Sequence, residues 1–363
     1  MKHTGSTTTA RSAPEPGTTD PADVRLRLRP GLTVLWRSPT RVQIGTDPRW
    51  AVTLTDLSPS AARALRSLPS GADLRALRAA FRREAVPPTE SDLLVTHLRT
   101  ARLLVPPPST APAPSAGLEP DVTAWSMLSE GGDGAAVLRR RRSAVVRVVG
   151  LGRTGVGLAG LLAAAGIGTV ELDDDRPVTP SDLGVGGYTT RDLHRPRQVA
   201  AGRVLQEVAP LVRTRTPRHG RVDLVVLVEA GAADPVRSHP LVADRVAHLS
   251  VVLREASTLV GPLVHPGRSA CLRCVDLHRA DGDTGWPTVG AQLASGTGRS
   301  SEESVLASVA AATAGAQALA VVDGREASAL GGSFEITLPE ALPRRRPWSP
   351  HPRCGCTGLS DES

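Results

Sequence analysis

An apolar run from Ala144 to Val149, interrupted only by Arg147, leads directly into Gly150-Leu151-Gly152-Arg153-Thr154-Gly155, and the apolar stretch Val156 to Ala165 follows. Gly166-Ile167-Gly168, a second apolar run from Thr169 to Leu172 and the triplet Asp173-Asp174-Asp175 complete the pattern. Few folds accommodate this order. A strand that turns sharply into a helix needs glycine where the backbone takes conformations closed to side chains, and the unpaired amides at the helix start attract an anion. An acid about twenty positions further on is placed to meet a ribose hydroxyl. The spacing therefore predicts a β-α-β unit of a Rossmann-like α/β fold. Gly150, Gly152, Gly155, Asp173 and Asp174 are its candidate nucleotide-contacting residues.

All four cysteines fall in two pairs, Cys271-Leu272-Arg273-Cys274 and Cys354-Gly355-Cys356. Two chelating pairs of soft ligands suit a tetrahedral zinc ion with no open position for water, a site that holds structure and does no chemistry. Cys271, Cys274, Cys354 and Cys356 are the expected ligands, with His351 in reserve should one thiol be out of reach. Between the pairs, Ser300 to Glu303 reads as a capping box for an apolar helix from Val305 to Val322. That helix is full of small residues and is expected as buried core, not as a membrane span. The preceding Asp281 to Gln292, with Trp286-Pro287, shows no periodicity and reads as a loop.

Ahead of this α/β region the chain is patterned differently. Residues 1–24 are rich in Thr, Ser, Pro and Gly and are expected to be disordered. Short β-rich runs, Leu32 to Trp36, Arg41 to Ile44 and Ala51 to Leu54, predict a meander. Ser58-Pro59 is a helix start, with Leu65 and Leu68 at helical spacing; Leu74, Leu77 and Phe81 mark a second helix. Thr89-Glu90-Ser91-Asp92 reads as a capping-box entry to a third, carrying Leu94, His97 and Leu98. The resulting plan is a small α+β domain over 25–106, a proline-rich linker and lead-in over 107–140, and the α/β domain over 141–363. Three strands followed by three helices resemble the winged-helix domain that recruits leader peptides in ribosomal-peptide maturation.

The formal charge of +7 and isoelectric point near 10.3 invite a nucleic-acid reading. Against it, the aromatic content of 2% leaves few stacking platforms. Arg139 to Arg142 and Arg344 to Arg346, the dense basic runs, read as solvated faces. Met1 to Ser6 hold no apolar segment of the kind that routes a chain to export, so a cytoplasmic location without membrane attachment is expected.

Val149-Gly150-Leu151-Gly152, Ala165-Gly166-Ile167-Gly168, the aspartates with Val178, and Ser181-Asp182-Leu183 resemble the ThiF-like, ubiquitin-activating-type adenylylating enzymes. The match runs on through Pro196, the helix to Pro210 and the strand Asp223 to Leu227. Such a resemblance implies ATP, attacked by the C-terminal carboxylate of a small protein or peptide to give an acyl-adenylate. It also implies a homodimer and paired cysteines on zinc.

Position by position, however, the pattern is broken. Arg153 stands where the glycine loop usually has a small residue, and Arg176 replaces the ribose-binding second aspartate, leaving Asp173 or Asp175 to substitute. The phosphate-contacting arginine after the Ser-Asn-Leu motif is replaced by Gly184-Val185-Gly186-Gly187-Tyr188, and Arg197 takes the place of a lysine. Val228-Glu229-Ala230 lacks the magnesium-binding aspartate, so charge building on the phosphates loses a counter-charge of several kcal/mol. The sequence thus favours a catalytically degenerate relative that holds a peptide. Cys271 to His278 together with Trp286-Pro287 resemble actinobacterial ThiF-like components of thiazole and oxazole peptide cyclodehydratases. The rival is a working ATP-dependent adenylyltransferase with Arg197 and Glu229 as its catalytic candidates. A NAD-linked oxidoreductase would share the glycine loop but not the four thiols, and no fifth cysteine exists for thioester transfer.

Overall fold

A computed structural model of the chain describes residues 26–107, 117–215, 221–295 and 302–358. The tail 1–24, most of the proline-rich stretch, and Ser300 lie outside the described residues. The chain divides into two compact units, one comprising residues 1–113 with 120–135, the other 114–119 with 136–363.

In the first unit β1 (Arg27–Leu28) pairs antiparallel with β5 (Leu104–Val105), and β2 (Val34–Ser38), β3 (Arg41–Ile44) and β4 (Val52–Leu54) form the expected antiparallel meander. Helix α1 (Pro59–Arg66) starts as the sequence predicts, Ser58 Oγ accepting the Ala61 amide with Pro59 in the first turn. The next helices are α2 (Leu74–Arg83) and α3 (Pro88–Thr100), and Leu65, Leu77, Phe81 and Leu98 form the buried centre. The capping box expected at Thr89 to Asp92 does not form. Helix α3 begins earlier, at Pro88, and the Glu90 carboxylate instead accepts the Ser58 amide, tying α3 to the start of α1. Residues 107–140, expected as linker and lead-in, hold α4 (Glu119–Leu128) and most of α5 (Gly134–Ser143). The buried Arg29 guanidinium satisfies the carbonyls of Ser126, Met127, Ser129 and Glu130, which the end of α4 leaves unpaired.

The second unit is built on a seven-stranded sheet. Its strands are β6 (Val145–Val149), β7 (Thr169–Asp173), β8 (Leu224–Ala230), β9 (His248–Leu253), β10 (Ser257–Val264), β11 (Gly332–Thr337) and β12 (Leu342–Pro347), in the order β7-β6-β8-β9-β10-β11-β12. Pairing is parallel from β7 to β9 and antiparallel from β9 to β12. The uninterrupted apolar runs of β6 and β8 follow from burial on both faces. On one face Val146, Val148, Val226 and Val251 meet α6 (Arg153–Ala164) and α11 (Ser304–Val322). On the other, Val149, Val225 and Leu227 pack with Leu241 of α8 (Pro235–Ala243). Small residues let α11 approach α6 closely, Gly157 facing Ala311 and Gly315 facing Leu158. Among the described residues α11 is the helix long and apolar enough to cross a membrane, and 56% of its apolar window is buried in the core.

Three expectations are corrected. Asp281 to Gln292 is not a loop: α9 (Leu272–Gly282) runs into it, and Trp286–Ala294 forms helix α10 with a proline in its first turn. No residue of α10 is fully buried, and its half-buried face is limited to Trp286, Gly290, Leu293 and Ala294. Helix α11 takes Glu303 itself as its N-cap, the carboxylate accepting the Val305 and Leu306 amides at 2.9 Å, where the expected box would place Glu303 inside the helix. The basic run Arg139 to Arg142 is not wholly solvated, since Arg141 is fully buried against Asp323.

Candidate nucleotide cleft and metal centre

Strand β6 ends at Val149, and Gly150 turns the chain with φ +86° in the left-handed region. A Cβ at Gly150 would collide with the Val228 carbonyl, and one at Gly155 with the Gly150 carbonyl, so both glycines are demanded by packing. Helix α6 begins at Arg153 with Gly152 as its N-cap and no side-chain cap, which leaves its first amides open to an anion. That anion comes from the chain itself. Glu302 Oε2 accepts the Thr154 amide at 2.5 Å, and Glu302 Oε1 fills the space a Cβ on Gly152 would take. Arg153 reaches across to the Glu302 carbonyl at 2.8 Å and to Ser304 Oγ at 3.1 Å. Nothing local in the sequence marks Glu302, which approaches the loop from 148 residues away.

The acidic motif is equally committed. Asp174 Oδ2 accepts the Leu151 amide of the glycine loop at 2.8 Å and lies 2.8 Å from Arg176 and 3.0 Å from Arg197. Arg197 also donates to both carboxylate oxygens of buried Asp182, at 2.7 and 2.8 Å. Burial alone would raise the Asp174 pKa, but hydrogen bonds from Arg176, the Leu151 amide and Arg197 hold it well below the usual carboxylate range. The buried Tyr188 hydroxyl lies within hydrogen-bonding distance of the Leu151 and Arg197 carbonyls, and burial pushes its pKa up. Asp173, Asp175 and Gly150 line a cleft of about 400 Å³ together with Arg147, Arg176 and Arg237. The structure thus brings Gly150, Asp173 and Asp174 together and turns the Asp174 and Arg197 side chains onto protein partners.

Glu229 stands at the carboxyl end of β8. One oxygen accepts the Asp234 amide at 3.3 Å; the other is buried and has no hydrogen-bond partner among the described residues. Burial pushes its pKa up to about 7, so near neutrality it exists partly as the uncharged acid. A protonated carboxyl is a poor magnesium ligand, and Ala230 beside it offers no side-chain oxygen.

The four thiols meet as the spacing implies. Cys271 and Cys274 sit at the start of α9, Cys354 and Cys356 in the turns after β12, and the Sγ atoms all lie within 4.8 Å of one another. Cross-pair separations are 3.5 Å for Cys271 and Cys354 and 3.4 Å for Cys274 and Cys356. Four sulfurs bound at ~2.3 Å around a tetrahedral zinc would be ~3.8 Å apart, so the set fits that ion. His351 is not a reserve ligand. Its ring lies 2.7 Å from Asp281 and accepts the Arg353 amide at 3.1 Å, while its own amide donates to Cys274 Sγ at 3.3 Å. Together with His278, which meets the Ser349 carbonyl at 3.0 Å, it clamps the C-terminal turns onto α9. Nearby, the Trp286 indole donates to Asp276 at 3.1 Å and stacks under Arg279, 4.6 Å from its ring, which fixes α10 to α9.

A parallel nucleotide-type core turning antiparallel after its fourth strand, with a glycine turn at the carboxyl end of β6 and a four-cysteine cluster, defines a ThiF-type architecture. The chain belongs to the ThiF family, which matches residues 125–356. Among solved structures it resembles Escherichia coli MccB crystallised with succinimide, at 14% identity and TM-score 0.68, covering 93% of this chain and 100% of that one. E. coli MccB with ATP matches at 16% identity and TM-score 0.65, covering 92% and 100%. PaaA matches at 16% identity and TM-score 0.65, covering 88% and 98%. No curated protein matches the chain.

Proposed function

We propose that this ThiF-family protein holds a peptide or small-protein partner as a scaffold component, for example in peptide cyclodehydration, and does not itself adenylylate it. The observation that carries this reading is the closure of Asp174, Arg176, Arg197 and Asp182 on one another. Groups that would otherwise meet ribose and phosphates already have charged partners, and releasing them costs the hydrogen bonds they make. Loss of the magnesium aspartate, with Val228-Glu229-Ala230 where an acid pair is expected, points the same way. A peptide partner is supported by the related architecture of MccB, crystallised with the MccA peptide. The first unit, with its β2 to β4 meander and helices α1 to α3, is assigned on this reading to winged-helix-like peptide recognition, in a cytoplasmic protein. Zinc on the four thiols serves structure.

The alternative, an active adenylyltransferase, draws on the intact glycine turn and on the MccB structure crystallised with ATP. The two are separated by ATP–pyrophosphate exchange with the purified chain, magnesium and short peptides encoded beside its gene. The scaffold reading expects no exchange above a no-enzyme blank; robust peptide-dependent exchange overturns it.

A further inference from the structure

We propose that Glu302 is an internal oxyanion occupying the ligand position at the start of α6, so that an incoming carboxylate or phosphate binds there only by displacing it. This deepens the reading above, taking the same glycine loop as the partner-binding site. Three observations carry it. The carboxylate contacts the Thr154 amide from a distant part of the chain, where the helix start offers unpaired donors and favours negative charge. Gly152 supplies the room, because any side chain there would meet Glu302 Oε1. The contact is not a by-product of starting α11, since that helix is capped by the neighbouring Glu303.

Leu293 of α10 packs against Gly231, just beyond β8, where a Cβ would lie 3.1 Å from it. Arg153 holds the Glu302 carbonyl as well. A peptide C-terminal carboxylate has the shape of the Glu302 group, and a phosphate shares its charge, so either competes for the same amides.

The test uses the full chain with Glu302→Ala, which leaves the Glu303 cap in place. Two oxyanion probes, ATP and tetra-alanine with a free C-terminus, are titrated calorimetrically into parent and variant, with C-terminally amidated tetra-alanine as control. Removing a charge-assisted competitor is expected to tighten binding of at least one oxyanion probe by about tenfold or more, with no gain for the amide. A gain for ATP alone assigns the position to phosphate; a gain for the free acid alone assigns it to carboxylate. Equal affinities in parent and variant, or an equal gain for the amide, overturn the proposal. Should Glu302→Ala fail to fold, Glu302→Gln, which keeps the side chain's size and removes its charge, is titrated in the same way; the same gain is expected, and equal affinities overturn the proposal. These ratios concern Glu302 alone, whereas pyrophosphate exchange by the parent concerns the scaffold reading, so either can fail without the other.

Discussion

Replacing Cys354 and Cys356 together by serine should abolish stoichiometric zinc and lower the melting temperature by roughly 10–20 °C, read by metal analysis and calorimetry. The size follows from what the centre joins. Its sulfurs come from the start of α9 and from turns that close the chain 83 residues later, with Cys271 and Cys274 buried. Zinc in small domains contributes ~10–16 kcal/mol of apparent binding energy that is also folding energy. Here the large apolar core of the second unit forms from other elements, so a loss of about 5 kcal/mol is expected, at ~2–4 °C per kcal/mol for a unit of this size. Metal binding should weaken on acidification. Burial pushes the Cys271 thiol up and the Cys356 thiol up to about 11, so each is protonated at neutral pH until a cation displaces its proton. Lowering the pH therefore favours the metal-free thiols.

Asp323→Ala should destabilise the second unit by about 3–5 kcal/mol, measured by denaturant unfolding. Asp323 caps the C-terminal end of α11, and its carboxylate receives Arg141 of α5 in a two-pronged pair at 2.9 and 2.8 Å. The side chains are 1% and 2% exposed, so removing the acid strands a guanidinium where water cannot reach it. The Asp323 carbonyl also accepts from Arg140, and Arg325 lies 3.2 Å from the same carboxylate. Replacing both members with Arg141→Met and Asp323→Leu should recover most of the loss, because the penalty lies in the unpaired charge. A double variant as unstable as the single one would mean that packing, not charge, sets the cost.

Local order explains what the sequence made legible. The β6 to β7 unit is plain because strand, glycine turn, helix and acid are consecutive, and Gly155 answers to the Gly150 carbonyl within that same turn. The thiol pairs were legible because their spacing answers to metal geometry. Ser58 and Pro59 announced α1 by a contact three residues long. Misses arose where the partner is distant. Arg141 looked like one arginine in a solvated run until Asp323, 182 residues on, proved to be its partner. Glu302 looked like one acid of two before an apolar helix. Spacing marks Asp174 and Arg197 as polar positions of the motif, but their pairing with Arg176 and Asp182 depends on side-chain directions that spacing does not fix.

That the Thr154 amide, Asp174, Arg176 and Arg197 already hold partners within the chain is the heart of the scaffold reading. It is tested most directly by titrating the parent protein with ATP and magnesium and following the heat of binding. No saturable binding through the millimolar range is expected; stoichiometric binding in the micromolar range would contradict it.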